Sequence, residues 1–156
     1  MNPLNLPQYD IKMAVRNGKT VILDVLRRRF IRLTPEEWVR QHFINYLINY
    51  KGYPQALLAN EIELSCGQKK LRCDSILYDT FAKPRMIIEY KAPNIAITQK
   101  TFDQITAYNI LLKVDYLIIS NGMKHYCCKT DYENHSYTFL RDIPSYDEIS
   151  RHTVCR

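Results

Sequence analysis

The stretch Met86-Ile87-Ile88-Glu89-Tyr90-Lys91 constrains this chain more than any other. Three consecutive apolar residues after Pro84 read as a short strand buried on both faces. Side chains alternate along a strand, so Glu89 and Lys91 then share one face while Tyr90 points away. Burying either charge alone is costly. The strand must therefore run out at a place where the sheet opens onto solvent, a partner charge or a cation.

The surrounding pattern predicts what this strand packs against. Two extended runs flank Asn17-Gly18, a strong hairpin signal, and the second run continues into LRRRFIRL with its basic patch Arg27, Arg28, Arg29 and Arg32. Thr34-Pro35-Glu36-Glu37 is a helix start, with an N-cap threonine, a first-turn proline and acids at the positive end of the dipole. Val39, Phe43, Tyr46, Leu47 and Tyr50 continue it at helical spacing toward Lys51-Gly52. ANEIELSC and KKLRCDSILY, parted by Gly67-Gln68, predict a second hairpin. Phe102, Ile105, Tyr108 and Leu112 mark a helix over 98–113, and residues 115–120 a buried strand. Short strands at 123–129 and 137–141 and a last helix at 145–150 complete the reading. The order is that of an α/β domain bordering on α+β, with a mixed sheet and flanking helices.

Length and composition suit one domain with its own core: 156 residues, 46% hydrophobic. We divide it into an arm and hairpin (1–33), a core (34–125) and a C-terminal extension (126–156). The net charge of +6 favours a polyanionic partner. Five cysteines without zinc-ligand spacing imply reduced, partly buried thiols in a cytoplasmic protein. No signal pattern and no bilayer-length apolar run occur, so no membrane partner is expected. His42 stands alone on its helix and reads as structural, and most of the twelve tyrosines fall on apolar stripes and read as core.

A second carboxylate, Asp74, lies at the polar end of its own strand, after Lys69, Lys70 and Arg72 and before Ile76-Leu77. If that strand neighbours 85–91, two acids and a lysine come together. Hard divalent cations take carboxylate oxygens, a backbone carbonyl and waters. A lysine beside them can orient a water or offset charge developing on phosphorus. A plain salt bridge between strands would use the same residue types.

Asp74-x(14)-Glu89-x-Lys91 resembles the PD-(D/E)xK nuclease superfamily. With TPEEWVRQHFINYLINYKGYP, RCDSILYD, IIEYKAPN and FDQITAYN, roughly residues 30 to 125 are similar to the N-terminal nuclease domain of type I restriction enzyme R subunits. The resemblance implies a restriction-endonuclease-like sheet of four to five strands flanked by helices, here with an added N-terminal hairpin. It implies Asp74, Glu89 and the Tyr90 carbonyl as ligands of Mg2+, with Mn2+ as substitute, and Lys91 as the catalytic lysine. Glu37 matches the family's helical acid, with Glu36 as the competing candidate. Gln104 and Tyr108, four apart on one helix face, match a Gln-x-x-x-Tyr motif that supports the lysine and the DNA backbone. Lys69, Lys70 and Arg72 are candidate phosphate contacts. The implied activity is magnesium-dependent hydrolysis of DNA. No GxxxxGK[ST] phosphate loop occurs, so a motor or specificity subunit would be a separate part, and two-strand cleavage would call for a homodimer or recruited partner. A catalytically silent binding or assembly module with the same fold is the alternative.

Overall fold

A computed structural model describes residues 3–151. Strands β1 (Met13–Arg16), β2 (Lys19–Asp24) and β3 (Arg29–Arg32) form a small antiparallel sheet. Helix α1 (Pro35–Tyr50) leads into the β4 (Leu58–Cys66) and β5 (Lys69–Tyr78) hairpin and then β6 (Pro84–Tyr90). Helix α2 (Gln99–Leu112) crosses to β7 (Tyr116–Ser120), and β8 (His125–Asp131), β9 (Ser136–Leu140) and α3 (Tyr146–Arg151) follow.

The main sheet has six strands in sequential order, β4 to β9, antiparallel throughout except for the β6–β7 pair that α2 connects. It is wider than the four to five strands expected because β8 and β9 extend it as a full meander. The N-terminal unit likewise has three strands where a hairpin was expected. Its basic run does not stay extended. Asp24 Oδ1 accepts from the N–H groups of both Leu26 and Arg27, at 2.9 Å each, and Arg28 turns left-handed, folding the chain back into β3.

Helix α1 is set by its cap, with the Thr34 hydroxyl accepting from the Glu37 N–H. Val39, Phe43 and Leu47 bury one apolar face on Leu77, Met86, Ile88, Tyr90 and Ile118. Across the sheet, Ile105 of α2 packs on Ile76, Ile87, Leu117, Ile119 and Cys128. Adjacent Cys127 and Cys128 enter opposite clusters, as alternation requires. They and Cys73 are buried free thiols, and Cys155 and the Cys66 side chain lie outside the described residues. Among the described residues, no helix is long and apolar enough to cross a membrane.

Candidate active site

Strand β6 ends in the charges that the sequence places there. Glu89 is 6% exposed, and Lys91 Nζ lies 3.4 Å from Glu89 Oε1. The neighbouring strand is β5, so Asp74 joins them. The β5–β6 ladder ends at Ser75 opposite Ile88, and just beyond it the Tyr90 N–H donates to Asp74 Oδ2 at 2.9 Å. A carboxylate thus takes the place of a ladder carbonyl. Cys73 and Ile76, three apart, share one apolar cluster, so strict alternation breaks across Asp74-Ser75.

Two further residues complete the cluster, and sequence reasoning passed over both. Glu61 lies on β4 between Asn60, paired with Ser75, and Ile62, paired with Cys73, which sets it opposite Asp74. Its φ of 54° is left-handed, a conformation costing about 1–2 kcal/mol for a residue with a Cβ. The turn at Gly67-Gln68 fixes Cys66 opposite Lys69, and counting back along both strands reaches this pair, so the hairpin register could have found it. Arg40 on α1, 1% exposed, lies 2.6 Å from Glu37 Oε1, 2.6 Å from Glu61 Oε1 and 3.2 Å from Asp74 Oδ1. Its guanidinium also sits over the Tyr90 ring, 5.6 Å from the centroid. The available signal was its spacing, one helical turn after Glu36 and Glu37.

The two helix acids differ in their partners. Glu37 is held by Arg40, by Arg27 at 3.4 Å and by Gln41 at 3.5 Å. Glu36, raised mainly by its own burial and then by Asp74, is opposed by Arg40 and then Lys91. Gln104 is exposed on α2, with no hydrogen bond to Asp74, Glu89 or Lys91 among the described residues, and Tyr108 is half-buried against the α2-side core. Arg72 reaches the site through Glu61, at 2.6 Å from Nε to Oε2. Lys69 is exposed, and Lys70 pairs with exposed Glu63 at 3.2 Å. Arg27, of the expected basic patch, is committed to Asp24 and Glu37. His42 hydrogen-bonds the Trp38 carbonyl, and burial lowers its pKa.

The electrostatics concentrate strain on the carboxylates. Burial, and then the charge of Asp74, push Glu89 up to about 7, although Lys91 opposes the shift. Burial also raises Asp74, against the pull of the Tyr90 N–H and Arg40. Glu61 is lowered, because Arg40 and Arg72 outweigh its burial. Arg40 keeps its charge because Glu37, Asp74 and Glu61 outweigh its desolvation.

No three His, Cys, Asp or Glu side chains form a ready-made metal cage among the described residues. Asp74 and Glu89 nonetheless supply two hard oxygen donors whose negative charge is costly where it stands. Magnesium commonly uses one or two carboxylates and keeps several waters, so this donor set fits it.

Comparison with known proteins bears on the fold and the family. No curated protein matches the chain. A solved fragment from Vibrio vulnificus YJ016, described as an HsdR subunit of a type I restriction enzyme, shares the fold with a TM-score of 0.55 at 18% identity. The likeness covers 78% of this chain and 25% of that one, so this chain spans about a quarter of that relative's length. The family of the type I restriction enzyme R protein N terminus (HSDR_N) matches residues 35–144, from the start of α1 to beyond β9, and therefore includes every acid of the cluster. The chain belongs to the family of type I restriction enzyme R protein N termini.

Proposed function

We propose that this domain hydrolyses DNA phosphodiester bonds with a divalent metal, as the nuclease part of a type I restriction system of the PD-(D/E)xK kind. One observation carries the reading: a half-buried and a buried carboxylate, Asp74 and Glu89, stand on adjacent strands with a lysine 3.4 Å from Glu89, where desolvation raises both, Asp74 raising Glu89 further and Glu61 raising Asp74 further. Perturbed groups of this kind concentrate at functional sites. Asp74, Glu89 and the Tyr90 carbonyl would hold Mg2+, or Mn2+ in its place. When bound, the ion supplies Lewis-acid polarisation of the phosphate and neutralises developing charge.

The protein's own groups do the rest. Tyr90 N–H and Arg40 fix both oxygens of Asp74, which sets its direction before any ligand arrives. Lys91, with a quarter of its side chain exposed, can donate to a phosphate oxygen or orient the attacking water. Glu36, in the field of Asp74, Arg40 and Lys91 but without an ion pair among the described residues, would be the acid available to the reacting groups, and Glu37, paired with Arg40 at 2.6 Å, would hold Arg40 in position. Gln104 and Tyr108 would meet the DNA backbone from α2, and Lys69 and Arg72 from the hairpin. The partners are DNA and a motor or specificity subunit in the cytoplasm, with a homodimer as one route to cutting both strands.

The alternative, a silent DNA-binding or assembly module, draws support from the occupation of both Asp74 oxygens by protein donors. Plasmid DNA incubated with Mg2+ or Mn2+ decides between them. Cleavage by the wild type, lost in Asp74→Ala and Lys91→Ala, supports hydrolysis. Salt-sensitive binding without cleavage at any metal concentration overturns it in favour of the module.

A further inference from the structure

Beside the acid cluster, on the α2 face of the sheet, lies an open hollow of about 190 Å³. Its walls are Ile119, Phe102, Tyr126 and Phe139, and Thr98 and Gln99 at the start of α2 form its lip. The position follows from strand register. Ile119 of β7 pairs with Glu89 on one side and with Tyr126 of β8 on the other. Tyr126 therefore stands two strand spacings from Glu89, about 10 Å. A larger hollow of about 350 Å³, bordered by Lys83, Lys113 and Lys129, opens at the opposite end of the sheet, away from the acids.

The hollow is aromatic where a surface would ordinarily be polar. Phe139 is 59% exposed and Tyr126 40%. The Phe102 and Phe139 rings lie 5.4 Å apart and 38° from parallel, a tilted pair of which Phe139 is the exposed member, Phe102 also meeting Tyr137 edge-on. Basic residues stand within two positions of the lining: Lys100 after Gln99, Lys124 before Tyr126 and Arg141 after Phe139. All three are exposed, and none forms an ion pair among the described residues. The acid nearby, Asp103, is engaged by Gln99 at 2.8 Å. Exposed rings framed by unpaired cations are the chemistry that receives a nucleobase and its phosphate. Bases in a duplex are already stacked and offer no free face, so the ligand is an unpaired one.

We infer that this hollow receives one unpaired base of the DNA strand whose backbone reaches Asp74 and Glu89, so that the substrate is single-stranded, frayed or flipped at the scissile position. The inference rests on the nuclease reading above and adds its substrate class. A second copy of the chain, or an apolar protein segment, is the competing occupant.

The test is binding of an oligonucleotide carrying 2-aminopurine, with EDTA present so that no cleavage occurs. We expect fluorescence quenching, and affinity for the single strand at least about five-fold above that for the matching duplex. Tyr126→Ala and Phe139→Ala should each cost about five-fold or more on the single strand and nothing on the duplex. Phe139→Tyr, which keeps the ring, should retain affinity and so separates stacking from misfolding. Equal losses on single strand and duplex, absence of quenching, or a dimer that Phe139→Ala dissolves would each overturn the inference. Quenching without metal-dependent cleavage sinks hydrolysis alone, whereas cleavage without quenching sinks this inference alone.

Discussion

Replacing Glu89 with glutamine should make the metal-free protein more stable, an unusual outcome for a buried residue at the centre of a site. The glutamate ionises at about 7 in the fold against an ordinary 4.5, because burial and Asp74 disfavour its charge. At 1.36 kcal/mol per pH unit, keeping it charged costs the fold about 3 kcal/mol. Between pH 4.5 and 7 the folded chain holds a proton that the unfolded chain releases. Stability therefore falls as pH rises through that window, and the cost is fully present above it. Glutamine has the same shape and no charge, so Glu89→Gln should gain about 3 kcal/mol at pH 8 and almost nothing at pH 4.

The assay is urea or thermal unfolding with EDTA at a series of pH values. For a chain of this size the gain at pH 8 corresponds to about 6–12 °C in Tm. Adding Mg2+ should then narrow the gap, because a cation that binds only the folded wild type stabilises it by about 2.7 kcal/mol at one hundred times its Kd. The variant should not respond. A Glu89→Gln protein that is less stable than the wild type at pH 8, or a gain that is the same at pH 4, would refute the reasoning. Glu89 would then be a satisfied member of a salt bridge.

Arg40→Met should destabilise by about 3–5 kcal/mol, read from urea unfolding, since it leaves Glu37, Glu61 and Asp74 without their shared counter-charge. Glu36→Gln should lower plasmid cleavage at least about ten-fold with little change in Tm. Glu37→Gln should do the reverse, because Glu37 is bound to Arg27 and Arg40. Asp24→Asn should cost about 2 kcal/mol near pH 7. Asp24 lies below its ordinary value because hydrogen bonds from Arg27 and Asn60 outweigh its burial. Its contribution is present above about 3.8 and fades as pH falls through the folded value, so the two proteins should converge in acid unfolding curves.

The parts of this fold that local chemistry dictates were readable from the residues. Thr34-Pro35 announces α1, Gly67-Gln68 closes the β4–β5 hairpin, and the apolar run into Glu89 marks β6, all within a residue or two of the observed bounds. Tertiary effects were not readable. The β2–β3 turn depends on one aspartate capping two backbone N–H groups inside a run that otherwise reads as extended. Arg40 lies on a helix whose positions 39–45 are all buried, so no stripe separates it from the core residues around it. The pairing of Glu89 with Lys91 follows from alternation alone. That of Asp74 with Glu89 needed the neighbourhood of two strands and a break in alternation that composition does not signal.

The small N-terminal sheet belongs to the site's support, although it contributes no acid to it. Asp24, fully buried, accepts from Arg27 at 2.6 Å and from Asn60 at 3.1 Å, and Asn60 accepts from Ser75 at 2.5 Å. Ser75 directly follows Asp74. Arg27 also reaches Glu37, which holds Arg40, which holds Asp74. Two chains of polar contacts thus run from the β2–β3 turn toward the site, one through α1 to Asp74 itself and one through β4 to its sequence neighbour Ser75. In a low-dielectric interior each member is costly to leave unpaired, so the network tolerates few arrangements. Its final link is the informative one. Asp74 meets Arg40 at 3.2 Å, whereas Glu37 and Glu61 meet it at 2.6 Å, so the bond that a cation would have to share is the longest of the three. Arg40 can therefore keep two acids and yield part of the third, which lets one side chain position Asp74 without committing it fully.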